Sequence, residues 1–108
     1  MTTNIVTCDE LIAKIRDLDS SLIIADVRSK QSHEEGHIDN AIHFTLKSLA
    51  EVVEEGSEMS QKEIILYCDE GTILSRIVAD ILANQNIQNV SVLEGGFSAW
   101  CQFAKKTD

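Results

Sequence analysis

Proline is absent from this chain of 108 residues, and long apolar runs are missing as well. No segment approaches the roughly 20 apolar residues that a membrane-spanning helix needs. The first residues also lack the charged-then-apolar order of a secretory signal peptide. We therefore expect a soluble, cytoplasmic protein with no membrane partner.

Positive charge is scarce: nine Lys and Arg stand against eighteen Asp and Glu, which gives a net charge of −9. Nucleic acids and anionic membrane surfaces would be repelled by such a protein, so the sequence predicts neither as a partner. A small anionic substrate is also disfavoured, unless a local positive field overrides the global charge.

Cysteines are few and lack the spacing of a metal site or a disulfide framework. The three, odd in number and widely separated, are Cys8, Cys68 and Cys101. The three histidines, at positions 33, 37 and 43, lack the pattern of a zinc site. We expect no metal and no cofactor, so any cysteine chemistry has to be that of a single thiol.

Short apolar runs alternate with helical patterns along the chain, whose length allows one domain, residues 1–108. The runs rich in β-branched or aromatic residues are 5–7, 22–25, 41–44, 63–67 and 90–93. Strands without polar alternation are buried on both faces, and strands separated by helices are joined by crossovers. The pattern predicts a three-layer α/β domain with a mainly parallel sheet and helices on both faces.

Helices are predicted between these strands. Thr7 and Glu10 form a candidate capping box before an amphipathic segment, and Thr45 is a candidate cap for a helix that ends at Gly56. Apolar residues recur at helical spacing over 73–82, up to a break at 84–86. A short closing helix follows Gly96 and runs through Phe103.

A functional site is expected beyond the carboxyl ends of the strands, where ligands bind in open α/β sheets. Cys68 stands where the strand 63–67 meets the next helix, and Gly71 allows a tight turn after it. Such a turn would aim backbone N–H groups and the start of the helix at the sulfur, which lowers the pKa of a thiol. Cys68 is then a nucleophile that can carry a second sulfur as a persulfide. The alternative is a small buried apolar residue, which is the usual fate of a free cysteine.

Four segments together resemble the single-domain rhodaneses, the sulfurtransferase-like family. They are 26–28 (DVR), 36–42 (GHIDNAI), 67–71 (YCDEG) and 93–100 (LEGGFSAW). The resemblance covers nearly the whole chain and implies a five-stranded, mostly parallel sheet. It also implies that Cys68 accepts a sulfane sulfur from a donor such as thiosulfate and passes it to a thiophilic acceptor.

The resemblance implies a set of site residues as well. Cys68 is the catalytic residue, and the loop that follows it binds substrate through its backbone: Asp69, Glu70, Gly71, Thr72 and Ile73. The supporting residues are Asp26, Arg28, His37, Glu94 and Gly95. An ion pair or backbone hydrogen bonds of Asp26 and Arg28 would hold the loops, and His37 would be a structural hydrogen-bonding residue.

The sequence also departs from the family pattern. Ile73 stands where family members that use thiosulfate commonly have Arg, and Asp69 and Glu70 add negative charge beside the sulfur. Cysteine phosphatases of the same fold need an Arg at the position of Leu74, so phosphatase chemistry is excluded.

Two hypotheses follow. The first is a sulfurtransferase or persulfide carrier, in which the acidic loop suggests a donor or acceptor protein with a basic docking face. The second is a non-catalytic rhodanese-like module that binds a partner protein.

Overall fold

The computed structural model describes residues 4–17, 22–45, 48, 62–70, 73–84 and 89–107. In these parts of the chain one sheet contains the strands β1 (Asn4–Val6), β2 (Leu22–Asp26), β3 (Ile42–His43), β4 (Glu63–Tyr67) and β5 (Val90–Leu93). Their spatial order is β1-β5-β4-β2-β3, and every neighbouring pair is parallel. The predicted α/β fold with a five-stranded, mostly parallel sheet is confirmed.

Helices cover both faces of the sheet. Those in the described residues are α1 (Cys8–Arg16), α2 (Lys30–Glu35), α3 (Ile73–Ala83) and α4 (Gly96–Thr107). Buried residues of α3 share one apolar cluster with Ile64 and Leu66 of β4. Residues of α1 and α4 share a second cluster with Ile65 and Tyr67, on the opposite face. No helix within the described ranges is long and apolar enough to cross a membrane.

The predicted capping box at the start of α1 is confirmed. The Glu10 amide donates to Thr7 Oγ1 over 3.2 Å, and the Thr7 amide donates to the Glu10 carboxylate over 3.3 Å. These bonds satisfy backbone donors that the first helical turn leaves without partners. In the last turn, Lys14 pairs with Glu63 of β4 over 2.9 Å and ties the helix to the sheet.

Three local features differ from the sequence prediction. Strand β1 covers 4–6 and not the predicted 5–7, because Thr7 is the N-cap of α1. Helix α2 was not expected, because its six residues, KQSHEE, have no apolar periodicity; Ser29 caps it by accepting from the Ser32 amide over 3.1 Å. Strand β3 is shorter than the predicted 41–44. The predicted helix from Thr45 to Gly56 lies largely outside the described residues, as does most of the break at 84–86.

Candidate functional site

The carboxyl ends of β2, β4 and β5 lie side by side in the centre of the sheet. Asp26 is in register with Tyr67, the residue before Cys68, and Leu66 is in register with Val92. Because the three strands are parallel, the residues that follow them meet at one edge. This edge brings together Asp26 at the end of β2, Arg28 just after it, Cys68 after β4, and Glu94 after β5.

The Asp26 carboxylate is fully buried and receives donors from several directions. Its Oδ1 accepts from the Arg28 amide over 2.9 Å and from Arg28 Nε over 3.0 Å, and its Oδ2 accepts from Arg28 Nη2 over 2.8 Å. The Tyr67 hydroxyl and His33 Nδ1 each lie 2.9 Å from Oδ2. Burial alone would raise the pKa of Asp26, but the bonds from Arg28, His33 and Tyr67 outweigh it and lower the pKa to about 2.

The Arg28 side chain connects this carboxylate to the loops around Cys68. Its guanidinium lies 4.2 Å from the centre of the Phe97 ring and 5.4 Å from that of Tyr67, within cation–π range. Nη2 also donates to the Gly36 carbonyl over 2.6 Å, and Nη1 lies 3.6 Å from Asp69 Oδ1. One buried cation therefore joins β2, the segment before β3, the loop after β4 and the start of α4.

Cys68 directly follows β4 and is 8% exposed. Its carbonyl accepts from the Phe97 amide over 2.8 Å, and the Asp69 carbonyl accepts from the Ser98 amide over 2.8 Å. The first turn of α4 thus supplies its unsatisfied backbone donors to the loop that begins at Cys68. These two bonds hold the first part of the loop against α4.

Two glycines allow this close approach. Gly95 and Gly96 have φ values of +76° and +61°, a region that glycine adopts without steric cost. A Cβ at Gly96 would also overlap the Cys68 carbonyl oxygen. Close passage of this backbone under the loop requires glycine at 96.

The acidic side chains of the loop point outward. The Asp69 side chain is 69% exposed, and Glu70 is also exposed. Together with Phe97 and Ser98 they line an open depression of about 490 Å³; Cys68, the residue before Asp69, is not part of its described lining. Gly71 and Thr72 lie outside the described residues, and Ile73 is the first residue of α3.

The remaining predicted residues lie at the edge of this site. His37 is exposed and its Nδ1 donates to the His33 carbonyl over 2.8 Å, while its ring stacks on that of His33 at 3.9 Å. Glu94 is exposed, and its amide donates to the Val6 carbonyl over 2.8 Å, which ties the turn after β5 to β1. Among the described residues, no three His, Cys, Asp or Glu side chains are grouped so that they could hold a metal ion.

Sequence reasoning did not single out His33, Tyr67 or Phe97 for the site. Tyr67 and Phe97 lie within the segments that carry the family resemblance, so their positions were a signal that was available. His33 had no such signal, because its contact with Asp26 depends on helix α2, which lacks an apolar pattern.

Comparison with known proteins gives a consistent result. A model of the rhodanese-like domain family matches residues 7–103. The thiosulfate sulfurtransferase GlpE of Coxiella burnetii is 41% identical over 91 residues, which cover 84% of this chain and 78% of that protein. The protein of the same name from Shewanella oneidensis is 35% identical over 80 residues, or 74% and 76% of the two chains.

Solved structures share the fold at lower identity. A rhodanese-related protein from Thermoplasma volcanium has a TM-score of 0.73 and 22% identity, covering 93% of this chain and 92% of that one. A Rhodopseudomonas palustris protein of unknown function, described as a possible tyrosine phosphatase, has a TM-score of 0.80 and 24% identity, covering 94% and 82%. At these identities the likeness concerns the fold alone.

Proposed function

Because this chain belongs to the rhodanese-like domain family, we propose that it is a sulfurtransferase that carries a sulfane sulfur on Cys68 as a persulfide. The observation that carries the proposal is the position of Cys68. It follows the central strand β4, and its loop is held against α4 by two backbone hydrogen bonds beside an open depression. These two bonds fix the backbone of Cys68 and Asp69, so the proposed reaction has its nucleophile on a positioned loop.

The proposed reaction has two displacement steps. The Cys68 thiolate attacks the outer sulfur of a donor such as thiosulfate, a new S–S bond forms, and the donor's own S–S bond breaks. Sulfite leaves with the electron pair of that bond, and the charge moves to the outer sulfur of the persulfide. The thiolate of an acceptor then attacks this outer sulfur, takes it, and restores the Cys68 thiolate.

Asp26 and Arg28 act in this proposal by positioning the loops, since both are buried and neither faces the depression. Arg28 also lies 3.6 Å from the Asp69 carboxylate, so it partly offsets a negative charge next to the sulfur. His37, Glu94 and Gly95 support the same loops. The backbone of Gly71, Thr72 and Ile73 would complete the binding loop.

The natural donor or acceptor is proposed to be a protein with a basic face. Asp69 and Glu70 project into solvent at the rim of the depression, where they would repel the dianion thiosulfate and attract a cationic surface. The relatives are named thiosulfate sulfurtransferases, so thiosulfate is still the first donor to test. None of the three cysteines, all of which lie in described parts of the chain, forms a disulfide. This fits the reducing cytoplasm, which we propose as the site of action.

A second candidate function is a non-catalytic module that binds a partner protein. Cys68 is only 8% exposed, whereas the acidic side chains after it are open to solvent. A surface of this kind can bind a basic partner without any chemistry at sulfur.

Mass spectrometry of the intact protein separates the two functions. The protein is incubated with thiosulfate, and in a second sample with a cysteine desulfurase and cysteine. Transfer activity predicts a gain of one sulfur atom in at least one sample, and a gain only in the second would identify a relay protein.

A Cys68→Ser variant should gain nothing, whereas a Cys101→Ser variant, whose thiol lies on α4, should gain sulfur as the parent does. If the parent takes up no sulfur from either donor, the transferase proposal fails and the binding module is favoured. Uptake that survives Cys68→Ser would likewise contradict the assignment of the thiol.

A further inference from the structure

Ser75, in the first turn of α3, has a hydroxyl group without a partner. It is fully buried, and its Oγ is the one buried side-chain oxygen or nitrogen in the described residues with no hydrogen bond. A serine within a helix usually points to solvent or bonds to the carbonyl four residues earlier. Ser75 does neither, and a buried hydroxyl without a partner destabilises the fold.

Ser75 lies at the end of the apolar face that α3 turns toward the sheet. The buried positions described in this helix are 75, 78, 79 and 82, and the last three belong to the cluster that includes Leu66. Because α3 connects two parallel strands, it runs back across the sheet and starts at the carboxyl ends. Of these four positions, Ser75 is therefore the one nearest to the loop that Cys68 begins.

The position of Cys68 directly after β4 predicts which face of the sheet it lies on. Ile64 and Leu66 belong to the α3 cluster, whereas Ile65 and Tyr67 belong to the cluster on the other face. By the alternation of side chains along a strand, Cys68, the first residue after β4, is expected on the α3 side of the sheet. The unpartnered hydroxyl lies on that side and near the same edge.

We propose that the Ser75 hydroxyl donates a hydrogen bond to the sulfur of Cys68 when that sulfur is charged, as the thiolate or the persulfide. A neutral thiol is a weak acceptor, whereas bonds to a charged acceptor are shorter and stronger. In the resting structure the hydroxyl makes no hydrogen bond to sulfur, oxygen or nitrogen, and the proposed bond forms when the reaction places a charge on the Cys68 sulfur. This inference rests on the proposed function and adds a residue that the family resemblance did not include.

The test is a Ser75→Ala variant in a Cys8→Ser, Cys101→Ser background, with alkylation of Cys68 by iodoacetamide followed against pH. We expect the midpoint of the alkylation profile to move up by about one pH unit, so alkylation below the midpoint is about tenfold slower. Urea unfolding of the same variant should show stability equal to or above that of its parent, because the variant removes an unsatisfied polar group.

Ser91→Ala is the matched control, since Ser91 is also a buried serine but lies in the middle of β5. Its neighbours Val90 and Val92 face α3, so Ser91 faces the other side of the sheet. The control should leave the alkylation profile unchanged. An unchanged profile in Ser75→Ala, an equal shift in Ser91→Ala, or a Ser75→Ala variant less stable than its parent would each overturn the inference.

Sulfur uptake is measured separately on the parent, so that the two proposals fail in different ways. If the parent gains no sulfur but Ser75→Ala shifts the alkylation profile, the transferase function is wrong and the hydrogen bond to the thiolate stands. If the parent gains sulfur and the profile does not shift, only the role of Ser75 is wrong.

Discussion

Replacing Asp26 with Asn tests the buried network that holds the loops around Cys68. The carboxylate is fully buried and accepts three hydrogen bonds from Arg28 alone. Asn has no charge, and its NH₂ group would face donors that need an acceptor. Loss of one partner from a buried ion pair costs about 3–5 kcal/mol, so the variant should be less stable by this amount at neutral pH.

The same carboxylate predicts how stability depends on pH. Its pKa is about 2 in the folded protein, against ~3.9 in an unfolded chain. At pH values between these two pKa values, the unfolded protein binds more protons than the folded protein. The contribution of Asp26 to stability is therefore complete above pH ~4 and is lost as pH falls toward 2. The difference between the two pKa values corresponds to about 2–3 kcal/mol.

Urea unfolding of the parent and of Asp26→Asn between pH 7 and pH 2 measures both effects. The stability difference between the two proteins should be constant at higher pH and should narrow by about 2–3 kcal/mol below pH 4. Asp80→Asn, which changes an exposed carboxylate on α3, is the control and should stay within about 0.5 kcal/mol of the parent. A stability difference between the parent and the Asp26→Asn variant that stays the same from pH ~4 to pH ~2 would refute the reasoning.

Three further substitutions test other contacts by urea unfolding. Gly96→Ala should lower the free energy of unfolding by about 2–4 kcal/mol and slow sulfur uptake. The added Cβ would overlap the Cys68 carbonyl oxygen, and residue 96 has a positive φ that suits glycine. The control is Gly36→Ala, where the backbone is extended (φ 167°) and a Cβ would make ordinary contacts, so stability should fall by under about 1 kcal/mol. Equal losses of stability in the two glycine variants would contradict the explanation. Tyr67→Phe should lower the free energy of unfolding by about 1–3 kcal/mol, because it removes the hydroxyl that donates to Asp26 and accepts from the Ile38 amide. An unchanged stability would contradict that account. Lys14→Gln should lower the free energy of unfolding by under about 1 kcal/mol, since the ion pair of Lys14 with Glu63 is partly solvated. A loss of stability above about 2 kcal/mol would contradict this.

Local patterns determined much of this fold. The capping box at Thr7 involves residues three apart, and strands β2, β4 and β5 are short, mainly apolar segments that are almost entirely buried. Such signals need only near neighbours in the chain, which is why a sequence can be interpreted this far without coordinates. The meeting of Asp26, Cys68 and Glu94 at one edge also followed, because parallel strands end on the same side.

Contacts between distant residues were decided by the tertiary structure. The Tyr67 hydroxyl reaches an oxygen of Asp26, 41 residues away, because β2 and β4 are paired in that register. Helix α2 forms without an apolar face, and it brings His33 to the same carboxylate.

By itself, the sequence determined the three-layer α/β architecture and the position of Cys68 at the end of a strand. Periodicity and capping act over a few residues, so a short segment is enough to show them. Only the tertiary structure decided that Asp69 and Glu70 project into solvent, that Arg28 packs on Phe97, and that Ser75 is buried without a partner. These depend on strand register and on helix packing against the sheet, which no short segment encodes.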